Sequence, residues 1–210
     1  MRTFAIATVL SITAASTADL VNPDIPTWRG DANTAFAQWD SFTSAKDGAN
    51  AAEQGGGWNL YNFGSGAIIA SSGNIYGAGG ALNIHVYPAA APLFGMQEAV
   101  VNISFAGNPI DTSNVRAYVG EAGSGTYVDS SSASQVGGGG GGFAPVTWAF
   151  TYDLSAVGQG FQGLSFFFGS ELANSSLDAI SIDVRGSAIP GPGALALLGV
   201  AGIGARRRRR

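Results

Sequence analysis

Between Val146 and Leu154 the chain alternates strictly: Val146, Trp148, Phe150, Tyr152 and Leu154 are apolar or aromatic, and Thr147, Ala149, Thr151 and Asp153 between them are small or polar. A period of two puts each set on its own face of a strand, whereas a helix would scatter both sets around its axis. A strand with one apolar face must lay that face on a second layer, so this stretch already requires a partner sheet. The period recurs along the chain. Leu82, Ile84 and Val86 alternate with Asn83, His85 and Tyr87; Val101, Ile103 and Phe105 alternate with Asn102 and Ser104; Val115, Ala117 and Val119 alternate with Arg116 and Tyr118. Leu164 to Phe168 and the set Ile180, Ile182, Val184 add two more strands, and Trp58 to Phe63 with Ala67 to Ala70 reads as an earlier hairpin. Thirty-two glycines favour short strands and many turns, because each Gly weakens a helix by roughly 1 kcal/mol relative to Ala. The expected fold is all-β, an antiparallel β-sandwich of jelly-roll-like type with about eight strands, with a signal helix at the N-terminus and a short hydrophobic helix at the C-terminus.

The remaining segments are less regular. Asp19 to Asp31 is an extended arm broken by Pro23 and Pro26. It contains Arg29-Gly30-Asp31, the tripeptide that animal integrins read, but a three-residue match arises easily by chance. Phe36, Trp39 and Phe42 recur every third residue, which permits a short amphipathic helix capped at Asn33 or Thr34; a strand over Ala37 to Phe42 is the alternative, and either would make these aromatics core residues. Lys46 to Gly57 reads as loop, and Ser130 to Gly142, with six consecutive glycines from Gly137, as a mobile loop with nothing to bury.

The two ends carry a different kind of pattern. Met1-Arg2-Thr3 is a short positive start, Phe4 to Ile12 is mostly apolar, and Ser16-Thr17-Ala18 supplies small residues, which sets a signal-peptide cleavage between Ala18 and Asp19. At the other end Pro190-Gly191-Pro192 precedes an uncharged run from Ala194 to Ala205, which includes Leu195, Leu197, Leu198, Val200 and Ile203. Arg206, Arg207, Arg208, Arg209 and Arg210 follow. Twelve helical residues cover about 18 Å of a hydrocarbon core about 30 Å thick, a short membrane segment suited to temporary retention. Five arginines would hold the terminus on the cytoplasmic side and the body outside.

This order of motif, apolar run and basic block resembles the PEP-CTERM sorting tail of exosortase-bearing bacteria, with Gly191 where that family has Glu. The resemblance covers about the last twenty residues. It implies processing by an exosortase-type enzyme, passage through a transient inner-membrane form, and delivery to the cell envelope, cell surface or extracellular matrix. The resulting division is a signal peptide over 1–18, a β-sandwich ectodomain over 19–187 and a sorting tail over 188–210.

The ectodomain holds all fourteen acidic residues against Arg29, Lys46, Arg116 and Arg185, a formal charge of −10, which would repel nucleic acid. There is no cysteine, hence no disulfide and no thiolate metal site, and His85 is the single histidine, on the polar face of its strand. No nucleophile and base are brought together by any local motif, and Gly158-Gln159-Gly160-Phe161-Gln162-Gly163 matches a dinucleotide glycine pattern but is followed by a strand instead of the required helix. No catalytic residue is assigned, and the first reading is a non-enzymatic exported surface or matrix protein. Its alternative is a carbohydrate-binding module with aromatics such as Tyr61, Tyr76 or Tyr118 stacking on sugar rings. A secreted hydrolase, with acids drawn from Glu53, Glu98, Glu121 and Glu171, stands third. No cofactor is expected; the one candidate is a structural calcium, since Asp178 resembles the acid with which jelly-roll carbohydrate-binding modules tie their first and last strands and Asp24 or Asp31 could join it, while a solvated surface acid is the favoured reading of each.

Overall fold

The computed structural model describes residues 20–89, 93–139 and 143–187. Ala18 and Asp19, the Pro190-Gly191-Pro192 motif, the apolar run and the arginine block lie outside the described residues, as do the helices expected at both ends. In chain order the strands are β1 Thr34–Trp39, β2 Asn50–Ala51, β3 Gln54–Gly55, β4 Trp58–Asn62, β5 Ile68–Ile69, β6 Ile75–Tyr76, β7 Asn83–Pro88, β8 Leu93–Phe94 and β9 Glu98–Gly107. They continue as β10 Arg116–Val119, β11 Thr126–Asp129, β12 Ser132–Gly138, β13 Val146–Asp153, β14 Phe161–Gln162, β15 Leu164–Gly169 and β16 Ser175–Arg185.

Two antiparallel sheets form a sandwich. Among the described residues the first runs β12-β13-β9-β16-β1-β3, with β6 and β5 attached beside β16, and the second runs β11-β10-β15-β7-β4-β2. The period-two sets meet between them. Trp39, Val101, Ile103, Phe150, Tyr152, Ile180 and Ile182 from the first sheet bury against Leu60, Ile84, Val86, Ala117, Leu164 and Phe166 from the second. Each large apolar side chain so buried contributes roughly 1.5–3 kcal/mol. The polar edges of the buried aromatics find backbone partners: Trp39 Nε1 donates to Asn50 O at 3.0 Å, Trp58 Nε1 to Leu164 O at 2.8 Å, and the Tyr152 hydroxyl to Val115 O at 3.0 Å. These bonds fix the rotamers that the core needs.

Several local expectations are corrected. Phe36 and Trp39 lie on a strand and not a helix, so a spacing of three sends them to opposite faces; Trp39 enters the core, while Phe36 lies outside beneath the Arg29 guanidinium, 5.3 Å from its ring centre. Trp58 to Phe63 and Ala67 to Ala70 do not pair as a hairpin, because β4 joins β7 in one sheet and β5 joins β6 in the other. Asn50–Ala51 and Gln54–Gly55 are short strands inside the segment read as loop. The glycine-rich stretch is not all loop either: β12 pairs with β13 from Ser132 opposite Thr151 to Gly138 opposite Val146, with a bulge between Gln135 and Gly137.

The most consequential difference concerns β9 and β16, which are buried on both faces. Asn102, Ser181 and Asp183 point away from the core yet are 0% exposed. The N-terminal arm covers them. Val21 N donates to Thr147 Oγ1 at 2.9 Å, Asp24 N donates to Asn102 Oδ1 at 2.8 Å, and Asn102 Nδ2 donates to Asp24 O at 3.0 Å and to Ser181 Oγ at 3.2 Å. Arg29 closes the series with paired donations to Asp183. A Cβ at Gly137 would stand 1.8 Å from Val21 O, so only glycine lets the arm approach the sheet there. Within the Arg29-Gly30-Asp31 tripeptide the Arg29 side chain is thus taken up by Asp183, while Gly30 and Asp31 stay exposed.

Candidate functional site

Among the described residues the second sheet has no such cover, and many of its outward positions are aromatic. Across the strands, Tyr127 stands opposite Tyr118, Arg116 opposite Phe167, Phe167 opposite His85, and His85 opposite Tyr61, while Asn59 stands opposite Tyr87. Register therefore aligns these side chains in two adjacent rows on one face. With Phe63 just beyond β4, the seven rings Tyr127, Tyr118, Phe167, His85, Tyr87, Tyr61 and Phe63 form one contiguous belt. Neighbouring centroids lie 4.8 to 6.2 Å apart, mostly edge to face. Tyr61 and Phe63 are the parallel pair, at 6.0 Å and 6°. The belt crosses five strands, about 19 Å at the usual interstrand spacing. Its ends are its most open parts, with Tyr127 59% and Phe63 40% exposed.

His85 sits at the centre of the belt. The Asn83 side-chain oxygen lies 3.0 Å from Nε2 and the Tyr87 hydroxyl 2.7 Å from Nδ1. An oxygen facing Nε2 makes that nitrogen the protonated one, so Nδ1 accepts from Tyr87. The rings of Phe63 and Phe167, each 4.8 Å away, exclude water, and this burial lowers the His85 pKa below the ordinary histidine value. Burial first, and then the Tyr127 phenol, push the Tyr87 hydroxyl upward.

Beside the belt lies a recess of about 510 Å³ whose lining includes Asn83, His85, Asp111, Asn114, Arg116, Tyr127, Phe167 and Glu171. Aromatic rings next to amides, carboxylates and a guanidinium offer apolar contact and directional hydrogen bonding on one surface. Asp111 is held by its own loop, accepting from Ser113 N at 3.1 Å and Ser113 Oγ at 2.6 Å. Arg116 Nε lies 3.3 Å from Asp129 Oδ1.

No family model matches the chain, and no curated protein matches it. Among solved structures it is similar to a xylan-binding module, CBM15, at 10% identity over 73% of this chain and 93% of that one, with a TM-score of 0.33. The strand pairing by itself defines the sandwich.

The sequence pointed to part of the site. Tyr61 and Tyr118 belong to the belt. Tyr76 does not: it lies on the other sheet, where its hydroxyl donates to Asn174 Oδ1 at 2.7 Å and its ring meets Phe143 at 6.5 Å. Phe63, Tyr87, Tyr127 and Phe167 were not singled out, although strand phase could have found them, since Tyr87 follows inward Val86 and Phe167 lies between inward Phe166 and Phe168.

The three acids proposed for calcium do not converge. Asp178 is buried on a bulge between Leu177 and Ala179, where Asn74 Nδ2 donates to it, in a recess of about 330 Å³ walled by Tyr76 and Phe143. Asp24 lies at the level of Asn102, opposite Ser181, about 10 Å further along β16 by strand rise. Asp31 lies beyond that, where its carbonyl accepts from Thr34, the partner of Arg185. The arm crosses β16 near Asn102 and Asp183 instead of reaching the bulge, so neither Asp24 nor Asp31 joins Asp178 in a calcium site. Among the described residues no three of His, Cys, Asp and Glu gather as metal ligands.

Proposed function

We propose that this protein is a non-catalytic β-sandwich that binds extracellular polysaccharide on the open face of its second sheet. The aromatic belt is the observation that carries the reading. A soluble domain rarely leaves seven adjoining rings on one surface unless something else covers them. Sugar rings present C–H faces that lie on aromatic planes and hydroxyls that bond to amides and carboxylates, and both kinds of partner adjoin here. An extended chain suits a belt about 19 Å long better than a single sugar does. Export by the two terminal signals, which remains part of the proposal, would bring the domain to such polymers, and exosortase-type processing would fix it at the envelope or in the matrix.

Affinity electrophoresis of the ectodomain in gels cast with soluble polysaccharides tests the reading, together with an oligosaccharide length series in calorimetry. Retardation by at least one polymer is expected, with affinity rising until the oligosaccharide spans the belt. Migration unchanged in every polymer would refute it. A hydrolytic reading has one observation behind it, that Asp111 and Glu171 line the same recess. Release of reducing ends from the retarding polymer, lost in Asp111→Asn and Glu171→Gln, would establish that activity instead.

A further inference from the structure

Resting on that reading, we propose that the belt selects neutral polysaccharide and excludes chains that carry uronate or sulfate groups. The argument comes from where the charges stand. Every lysine and arginine among the described residues already has an acid within reach: Arg29 with Asp183, Lys46 with Asp47 at 3.7 Å, Arg116 with Asp129 at 3.3 Å and Arg185 with Glu98 at 2.8 Å. Arg29 and Arg185 serve the opposite sheet, so Arg116 is the cation that lines the belt's recess.

Arg116 does not make that recess basic. Its pair with Asp129 is exposed and therefore weak, so an incoming anion could displace the aspartate. The displaced Asp129 would remain beside it, however, and Asp111 and Glu171 line the same recess. Three carboxylates against one guanidinium give the site an acidic potential, within an ectodomain of formal charge −10. An anionic chain would therefore be repelled at the approach and again at contact. A neutral chain meets the same groups as acceptors: the carboxylates and the Asn83 and Asn114 amides take bonds from sugar hydroxyls, and charge-assisted bonds of this kind are the stronger ones. Burial under its neighbouring rings disfavours the charged form of His85, so the ring does not offset the carboxylates.

Polymer pairs that share a backbone and differ in charge test the inference. Hydroxyethylcellulose with carboxymethylcellulose, dextran with dextran sulfate, and methyl-esterified with de-esterified pectin make a suitable set for affinity electrophoresis at low and moderate salt. The expected result is retardation by the neutral member of at least one pair, with at least ten-fold weaker binding to its anionic counterpart and a gap that narrows as salt rises. In Asp111→Asn/Glu171→Gln, with an unchanged thermal melt, the anionic member should gain at least five-fold. Tighter binding of the anionic member, weakened by salt, overturns neutral selectivity and leaves the polysaccharide reading standing. Binding to neither member of any pair overturns both.

Discussion

Arg29 lays its guanidinium along the Asp183 carboxylate, donating from Nε and Nη2 to both oxygens across a sequence separation of 154 residues. The pair clamps the N-terminal arm to the last strand of the sandwich. The Asp183 side chain is fully buried and that of Arg29 is 18% exposed. Removing the cation would leave a buried carboxylate with no countercharge, at a cost of about 3–5 kcal/mol. Arg29→Ala should lower the unfolding free energy measured by urea denaturation by that amount, whereas Arg29→Met with Asp183→Leu should recover most of it. A loss below 1 kcal/mol in the single variant would show that the arm is not part of the folded unit.

The belt makes a separable prediction about binding. Tyr127 is mostly exposed and meets Tyr118 and Phe167 through ring contacts, so Tyr127→Ala should shift stability by no more than about 0.5 kcal/mol. An aromatic anchor in an interface typically contributes more than 1 kcal/mol, so affinity for the retarding polymer should fall at least five-fold. Tyr76→Phe on the opposite sheet serves as the comparison and should leave affinity unchanged. Equal effects from the two substitutions would place the ligand elsewhere.

His85 gives the site a pH dependence of defined sign. Burial favours its neutral form, so the folded state takes up a proton less readily than the unfolded chain. Its contribution to stability is complete above the ordinary histidine value, near 6.5, and is lost as pH falls from there through the lower folded value. A sugar chain laid over the belt removes more water from the ring, so affinity should fall in the same direction. Tyr87 bonds to this ring, and Tyr127, Arg116, Asp111 and Glu171 are the titratable and charged groups that line the recess beside it. Between pH 7.5 and 5.5 the unmodified protein should lose affinity and His85→Gln should not. Parallel profiles for the two would assign the dependence to another group.

The sandwich was legible because its signal is local: Val146 to Leu154 alternates without exception, and any strand so patterned needs a second sheet. Pairing partners were not legible in the same way. Ala67 to Ala70 follows Trp58 to Phe63 closely in sequence, yet β5 joins the opposite sheet, a choice made by the core and not by the turn. Asn102, Ser181 and Asp183 take the polar phase of their strands, and nothing in their own segments announces an arm from residues 21 to 29 crossing over them. The belt fell between these cases. Each ring's outward phase could be read from its strand, but only the cross-strand register brings Tyr127, Phe167, His85 and Tyr61 side by side.

The terminal segments make a prediction that does not depend on the ligand. A run of twelve uncharged residues is too short to span a bilayer comfortably, so anchoring by Ala194 to Ala205 should need the five terminal arginines to hold the cytoplasmic headgroups. Removal of Pro190 to Arg210 should release the ectodomain, with its mass reduced by both the signal peptide and the deleted tail. Replacement of Arg206 to Arg210 by serine should release the longer chain without trimming. Gly191→Glu, which restores the residue usual in the family that the tail resembles, should raise the trimmed fraction in a host that carries an exosortase and change nothing in one that does not. Fractionation with mass spectrometry of the mature chain reads all three, and a cytosolic product with both termini uncut would sink the sorting proposal.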